Sequence, residues 1–91
     1  MRGDEPSPRP LSAAEQAAVE RALPEAQAMA RRMGWRCPAL ERDELVAVGK
    51  AVLVAQVQRF DPSRGVSLAQ FARKAMRGAM LRASKKQRRT R

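Results

Sequence analysis

The chain has no histidine, no tyrosine and a single cysteine, and those absences remove most of what a catalytic or metal site is built from. With Cys37 alone and no His there is no cluster of metal ligands and no nucleophile paired with a base. A glycine-rich phosphate loop is missing too, so the chain reads as a non-enzyme without cofactor or metal. Cys37, followed by Pro38, cannot form an internal disulfide and is read as a packed or exposed thiol in a reducing cytoplasm. Long apolar runs are equally scarce. The longest, Leu45–Val57, is interrupted by Lys50 and Gln56 and is too short to span a bilayer, so no membrane partner is expected. Met1–Pro10 holds three prolines and no apolar region, which reads as a flexible leader and not as a signal peptide.

Acid is missing from one part of the chain. Residues 1–61 carry nine basic and all nine acidic side chains and sum to zero, whereas residues 62–91 carry the other ten basic side chains and no acid. The whole net charge of +10 therefore lies beyond Asp61, ending in Lys85, Lys86, Arg88, Arg89 and Arg91. A one-sided field of this kind concentrates a polyanion, and the chemistry it suits is that of nucleic-acid phosphates.

What is present is helical periodicity. Ninety-one residues allow one domain and a small core. Ser12 with Glu15 forms a capping box for a first helix whose apolar stripe is Val19, Leu23, Ala26, Ala30 and Met33. Pro24 predicts a kink or two abutting helices, because its ring clashes with the carbonyl of Glu20 and it donates no hydrogen bond. Gly34 is the expected stop, and Trp35 is read as an anchor for the connector to Leu40 in preference to a base-stacking platform. A second helix is predicted from Glu41–Asp43, where acids complement the helix dipole, to about Arg59. Its apolar residues Leu45, Val46, Val48, Val52, Leu53, Val57 and Phe60 cover the wide arc of a central bundle element.

The densest signal is the segment Arg59–Ala72. Pro62 fixes φ for a turn, Gly65 can take positive φ, and Ser67 with Gln70 forms a second capping box that starts a helix at Leu68. From there Leu68, Phe71, Ala72, Ala75, Met76, Ala79 and Met80 recur at helical spacing, and Arg73, Lys74 and Arg77 fall on the opposite arc with Gln70 and Leu81. One face packs and the other carries cations. The predicted fold is an all-α bundle of three to four helices: a disordered leader over 1–10, a helical domain over 11–82 and a basic tail over 83–91.

These residues also resemble a known family. Asp43–Gly49, Leu53, the turn Arg59-Phe60-Asp61-Pro62-Ser63-Arg64-Gly65-Val66-Ser67, Phe71-Ala72 and Arg77-Gly78-Ala79-Met80 are similar to region 2 of bacterial sigma-70-family initiation factors. The flavour is that of the flagellar and stress-response branch, and the resemblance covers roughly Leu11 to Arg82. It implies that Glu44, Ala47, Lys50 and Val54 dock on the coiled coil of the largest subunit of RNA polymerase. It also implies that the last helix recognises and helps to open the minus-ten promoter element, with Phe71 against a flipped-out base of the single-stranded nontemplate strand. The candidate DNA-binding set is Arg64, Gln70, Phe71, Arg73, Lys74, Arg77, Arg82, Lys85 and Lys86. Contacts of Arg and Lys to phosphates position a protein without specifying sequence, whereas an aromatic can stack on a base.

The chain departs from the family pattern at named places. Ala47 stands where the family usually carries Gln, and Val52 and Gln56 stand where it usually has a second Gly and a later Ala. Lys74 and Ala75 fall where housekeeping members place a pair of tryptophans used in melting. Gly78 and Leu81 fall where some members read base edges with polar side chains. No sequence after Arg82 is long enough to form the second DNA-binding domain, region 4. Two function classes follow: an initiation factor consisting of region 2 that binds polymerase and promoter DNA, and a non-initiating regulator that binds polymerase or an anti-sigma factor. A small basic nucleic-acid-binding protein is a third. The first is the reading carried forward, with a separate region 4-like chain among its implied partners.

Overall fold

Three α-helices account for most of a computed structural model of the chain, which describes residues 10–90. The leader expected over 1–10 lies, Pro10 excepted, outside the described residues. Helix α1 spans Ala13–Met33, α2 spans Arg42–Val57 and α3 spans Leu68–Thr90, with a single turn of 3₁₀ helix at Pro62–Arg64. Among the described residues there is no strand.

The helix starts follow from side chains that satisfy orphan backbone groups. Ser12 Oγ accepts from the Glu15 N–H at 3.1 Å while Glu15 Oε1 accepts from the Ser12 N–H at 2.9 Å. At α2 the Glu44 carboxylate accepts from the Glu41 N–H at 2.8 Å. At α3 the pair expected from spacing is present, with Gln70 N–H donating to Ser67 Oγ and Ser67 N–H donating to Gln70 Oε1, both at 3.1 Å.

Pro24 does not divide the first helix. α1 is one element of 21 residues, and Pro24 sits on its exposed side. Water can there serve the carbonyl of Glu20 that loses its usual donor, while Ala22, Ala26 and Ala30 stay buried on the opposite face. Gly34 does end the helix, although in a right-handed conformation (φ −55°, ψ −40°). A left-handed cap is not needed, because the chain tightens and both Arg36 N–H and Cys37 N–H reach the Met33 carbonyl, at 3.0 and 2.9 Å.

The reading of Trp35 as an anchor is wrong: its side chain is 80% exposed. Cys37 takes that place. It is fully buried, and its Sγ lies 3.8 Å from the Met80 carbonyl oxygen, so the connector is pinned to α3 by a small side chain that fits between packed helices.

Each helix packs on the other two. Leu45, Leu53, Met76 and Met80 are the largest fully buried side chains apart from Cys37, and each contributes about 1.5–3 kcal/mol by leaving water. Small residues set how near the backbones come. At Gly49 a Cβ would lie 3.1 Å from both the Ala26 Cβ and the Met80 Cε, so all three helices meet at this point. Gly78 differs. A Cβ there would meet only the guanidinium end of Arg82, at 3.2 Å, and that flexible group can move aside. Gly78→Ala is therefore expected to stabilise the domain by about 0.5–1 kcal/mol, raising the melting temperature by roughly 2–8 °C. A thermal melt followed by circular dichroism checks it, and a lower melting temperature would mean that Gly78 is held for a packing reason.

Candidate nucleic-acid interface

The turn between α2 and α3 is built to set an angle. Asp61 Oδ1 accepts from the Ser63 N–H at 3.0 Å and from the Ser63 hydroxyl at 2.7 Å, and these bonds hold its carboxyl below the ordinary carboxylate range. Pro62 opens the 3₁₀ turn, and Gly65 closes it at φ +82°. That conformation costs an ordinary L-residue about 1 kcal/mol or more, as the sequence reading requires. Nothing lies within 4 Å of where a Cβ would be, so the demand for glycine comes from the backbone alone. Arg64, at the end of this turn, is exposed.

α3 then presents a cationic ridge. Arg73, Lys74, Arg77, Arg82, Lys85 and Lys86 are all exposed, while Leu68, Ala72, Met76, Met80 and Ser84 on the other face are buried. The helix runs on to Thr90, into the segment read as a tail, so Lys85, Lys86 and Arg88 continue the ridge on a helical scaffold. Gln70 is exposed, but its side-chain oxygen is engaged by Ser67 in the cap. Phe71, assigned by periodicity to the apolar stripe, is 43% exposed. One side of its ring rests on Phe60, centroid to centroid 5.6 Å with 50° between planes, which steadies an aromatic surface whose remainder faces solvent.

The two edges of the ridge differ. On the α2 side stands Phe71 on Phe60; on the α1 side Arg73 reaches towards Glu25, N to O 3.9 Å, in an exposed pair that contributes at most about 1 kcal/mol. Beyond Arg73 lies an open groove of about 900 Å³ between α1 and α3. Arg32, Trp35 and Arg36 line its α1 side and Gln70, Arg73, Lys74 and Arg77 its α3 side. The sequence reading missed Arg32 and Arg36, because the half of the chain that contains them is neutral in sum. Their spacing along the last turn of α1 and into the connector was the available signal.

The outer face of α2 is less polar. Glu44, Ala47 and Lys50 are exposed, while Val54 is half-buried and packed against the core. Ala51, one turn after Ala47, is exposed on the same face and was not singled out, although its helical spacing from Ala47 was readable. Glu44 already serves the α2 cap with one carboxylate oxygen.

The domain is thus a three-helix bundle in which a stiff turn presents a basic helix with an exposed aromatic. Its family is shown by comparison: the family model described as Sigma-70 region 2 matches residues 18–90. The chain belongs to that family. Among curated proteins none matches it, and no solved structure does.

Proposed function

We propose that this chain is a sigma-like transcription initiation factor that binds core RNA polymerase and promoter DNA and helps to open the minus-ten region. It acts by binding and not by catalysis. The observation that carries the reading is the ridge of α3, where six exposed cations run beside the half-open ring of Phe71. Membership of the sigma-70 region 2 family supports both partners. In this reading Arg64 and the ridge follow the phosphates, Phe71 takes a base of the nontemplate strand, and the face of Glu44, Ala47, Lys50 and Ala51 docks on the coiled coil of the largest subunit. No helix of the described residues is long and apolar enough to cross a membrane. In this reading the chain works in the cytoplasm alongside polymerase.

The test is retention of core polymerase by the immobilised chain, followed by binding of forked promoter-like DNA to the complex. Both are expected. Ala47→Gln, which restores the polar side chain usual in the family, should tighten the polymerase contact. Polymerase retained without DNA would favour the regulator, and DNA bound without polymerase would leave only a small basic nucleic-acid-binding protein.

A further inference from the structure

Trp35 has no structural duty that its surroundings reveal. It is 80% exposed, just beyond the end of α1, and the connector is held by Cys37 instead. Large aromatics are seldom left so open, because their burial is worth more than that of other side chains. It lines one groove with Arg32, Arg36, Arg73, Lys74 and Arg77, and with Glu25 as the acid there. The guanidinium of Arg36 lies over the indole, 5.8 Å from the ring centroid, within the range of a cation–π contact. An indole steadied by an arginine beside a groove lined with cations is the arrangement by which proteins hold single strands: stacking for the base, cations for the backbone.

We infer that the α1–α3 groove is a second binding lobe for single-stranded nucleic acid, in which Trp35 stacks on one base and Arg32 and Arg36 contact the adjoining phosphates. The inference rests on the reading of α3 as a nucleic-acid face and extends it. A strand crossing the ridge from Phe71 passes over Lys74 and Arg77 into this groove, so the bound path reaches the α1–α2 connector. Charge selects the occupant. Five cations against one acid disfavour a basic partner, Met29 and Met33 add apolar lining that suits the face of a base, and an open groove of about 900 Å³ has room for a base and its sugar-phosphate.

Trp35 is the one tryptophan and tyrosine is absent, so intrinsic fluorescence reports on this position alone. Titration with an oligothymidylate of about 12 nucleotides, a length within the usual range of single-strand sites, should quench that fluorescence at low salt. The midpoint should match that from anisotropy of a labelled oligonucleotide. Trp35→Ala should weaken binding roughly 5- to 150-fold, the range of one base stack, with an unchanged melting temperature, and Trp35→Phe should recover much of the loss. Arg32→Gln with Arg36→Gln should flatten the salt dependence by about 1.4 log units per log unit of salt.

Binding without quenching, at equal affinity for Trp35→Ala, would place the strand elsewhere and overturn the inference. The reading of α3 would stand in that case if Arg73→Ala with Arg77→Ala still weakened binding. Quenching by core polymerase but not by the oligonucleotide would make the groove a protein dock and overturn the inference as well. No binding by the intact chain would overturn both readings.

Discussion

Gly49→Val should lower the stability of the domain by about 2–3 kcal/mol, a shift in melting temperature of roughly 10–20 °C for a domain of this size. The cause is the meeting of three helices at one small residue. A Cβ at position 49 would stand 3.1 Å from the Ala26 Cβ, which is fixed to the backbone of α1 and cannot turn away. It would stand equally near the Met80 Cε, and Met80 is fully buried and has no open space to swing into. Valine adds two further carbons on that Cβ. The gain in helix propensity over glycine, about 0.3–0.5 kcal/mol, is too small to offset the displacement of a helix. Gly49→Ala and Gly78→Ala form an internal contrast, because both gain the same propensity and only the first meets fixed atoms. A melt in which Gly49→Val matches the parent would show that the bundle is looser at this point than its geometry states.

Much of this fold was legible because its signals are local. The Ser12–Glu15 and Ser67–Gln70 boxes, the acids at the start of α2 and the glycine at position 65 each satisfy backbone demands that arise within four residues. The apolar stripes were legible for a related reason, since helical periodicity alone decides which residues share a face. Where the reading erred, the deciding contact came from elsewhere in the chain. Pro24 would break an isolated helix, but the packed alanines on the far side of α1 carry the helix through it. Trp35 lies outside any helix, so periodicity says nothing of its burial; the connector closes on Cys37 because Met80, 43 residues away, offers a carbonyl there.

The candidate site divides in the same way. The ridge of α3 was visible as spacing, and the total absence of acid beyond Asp61 marked it. Phe71 was ambiguous, since a residue at the margin of a stripe can turn inwards or outwards, and only the position of Phe60 decides it. The groove was illegible because it is assembled from two elements. Arg32 and Arg36 reach the ridge only through the packing of α1 on α3, which brings their half of the groove beside Arg73 and Arg77.

Loss of the central ridge cations should change how DNA binding responds to salt more than any other surface change. For single-stranded DNA, log affinity falls by about 0.7 for each log unit of salt and each phosphate neutralised. If Arg73, Lys74 and Arg77 each neutralise one phosphate, replacing all three with Ala should flatten the slope by about 2, so a fourfold rise in salt costs the variant roughly 20-fold less affinity than it costs the parent. All three are exposed, and Arg73 gives up only a long, exposed ion pair to Glu25, so the fold should survive. The distal cations need separate treatment. Lys85, Lys86 and Arg88 belong to α3, and Ser84 beside them is buried, so cutting the chain after Ser84 would end the helix against the core. Changing the three to Gln removes charge and leaves the helix intact. That variant should weaken duplex and forked DNA about equally, because sequence-independent attraction acts on any phosphate. The ridge variant should weaken forked DNA with an exposed nontemplate strand most, and adding Phe71→Ala should widen that difference, since the base then loses its aromatic surface. Equal effects of the ridge variant on duplex and fork would remove the strand-opening role, and binding lost only on changing Lys85, Lys86 and Arg88 would reduce the domain to a polycation on a helix.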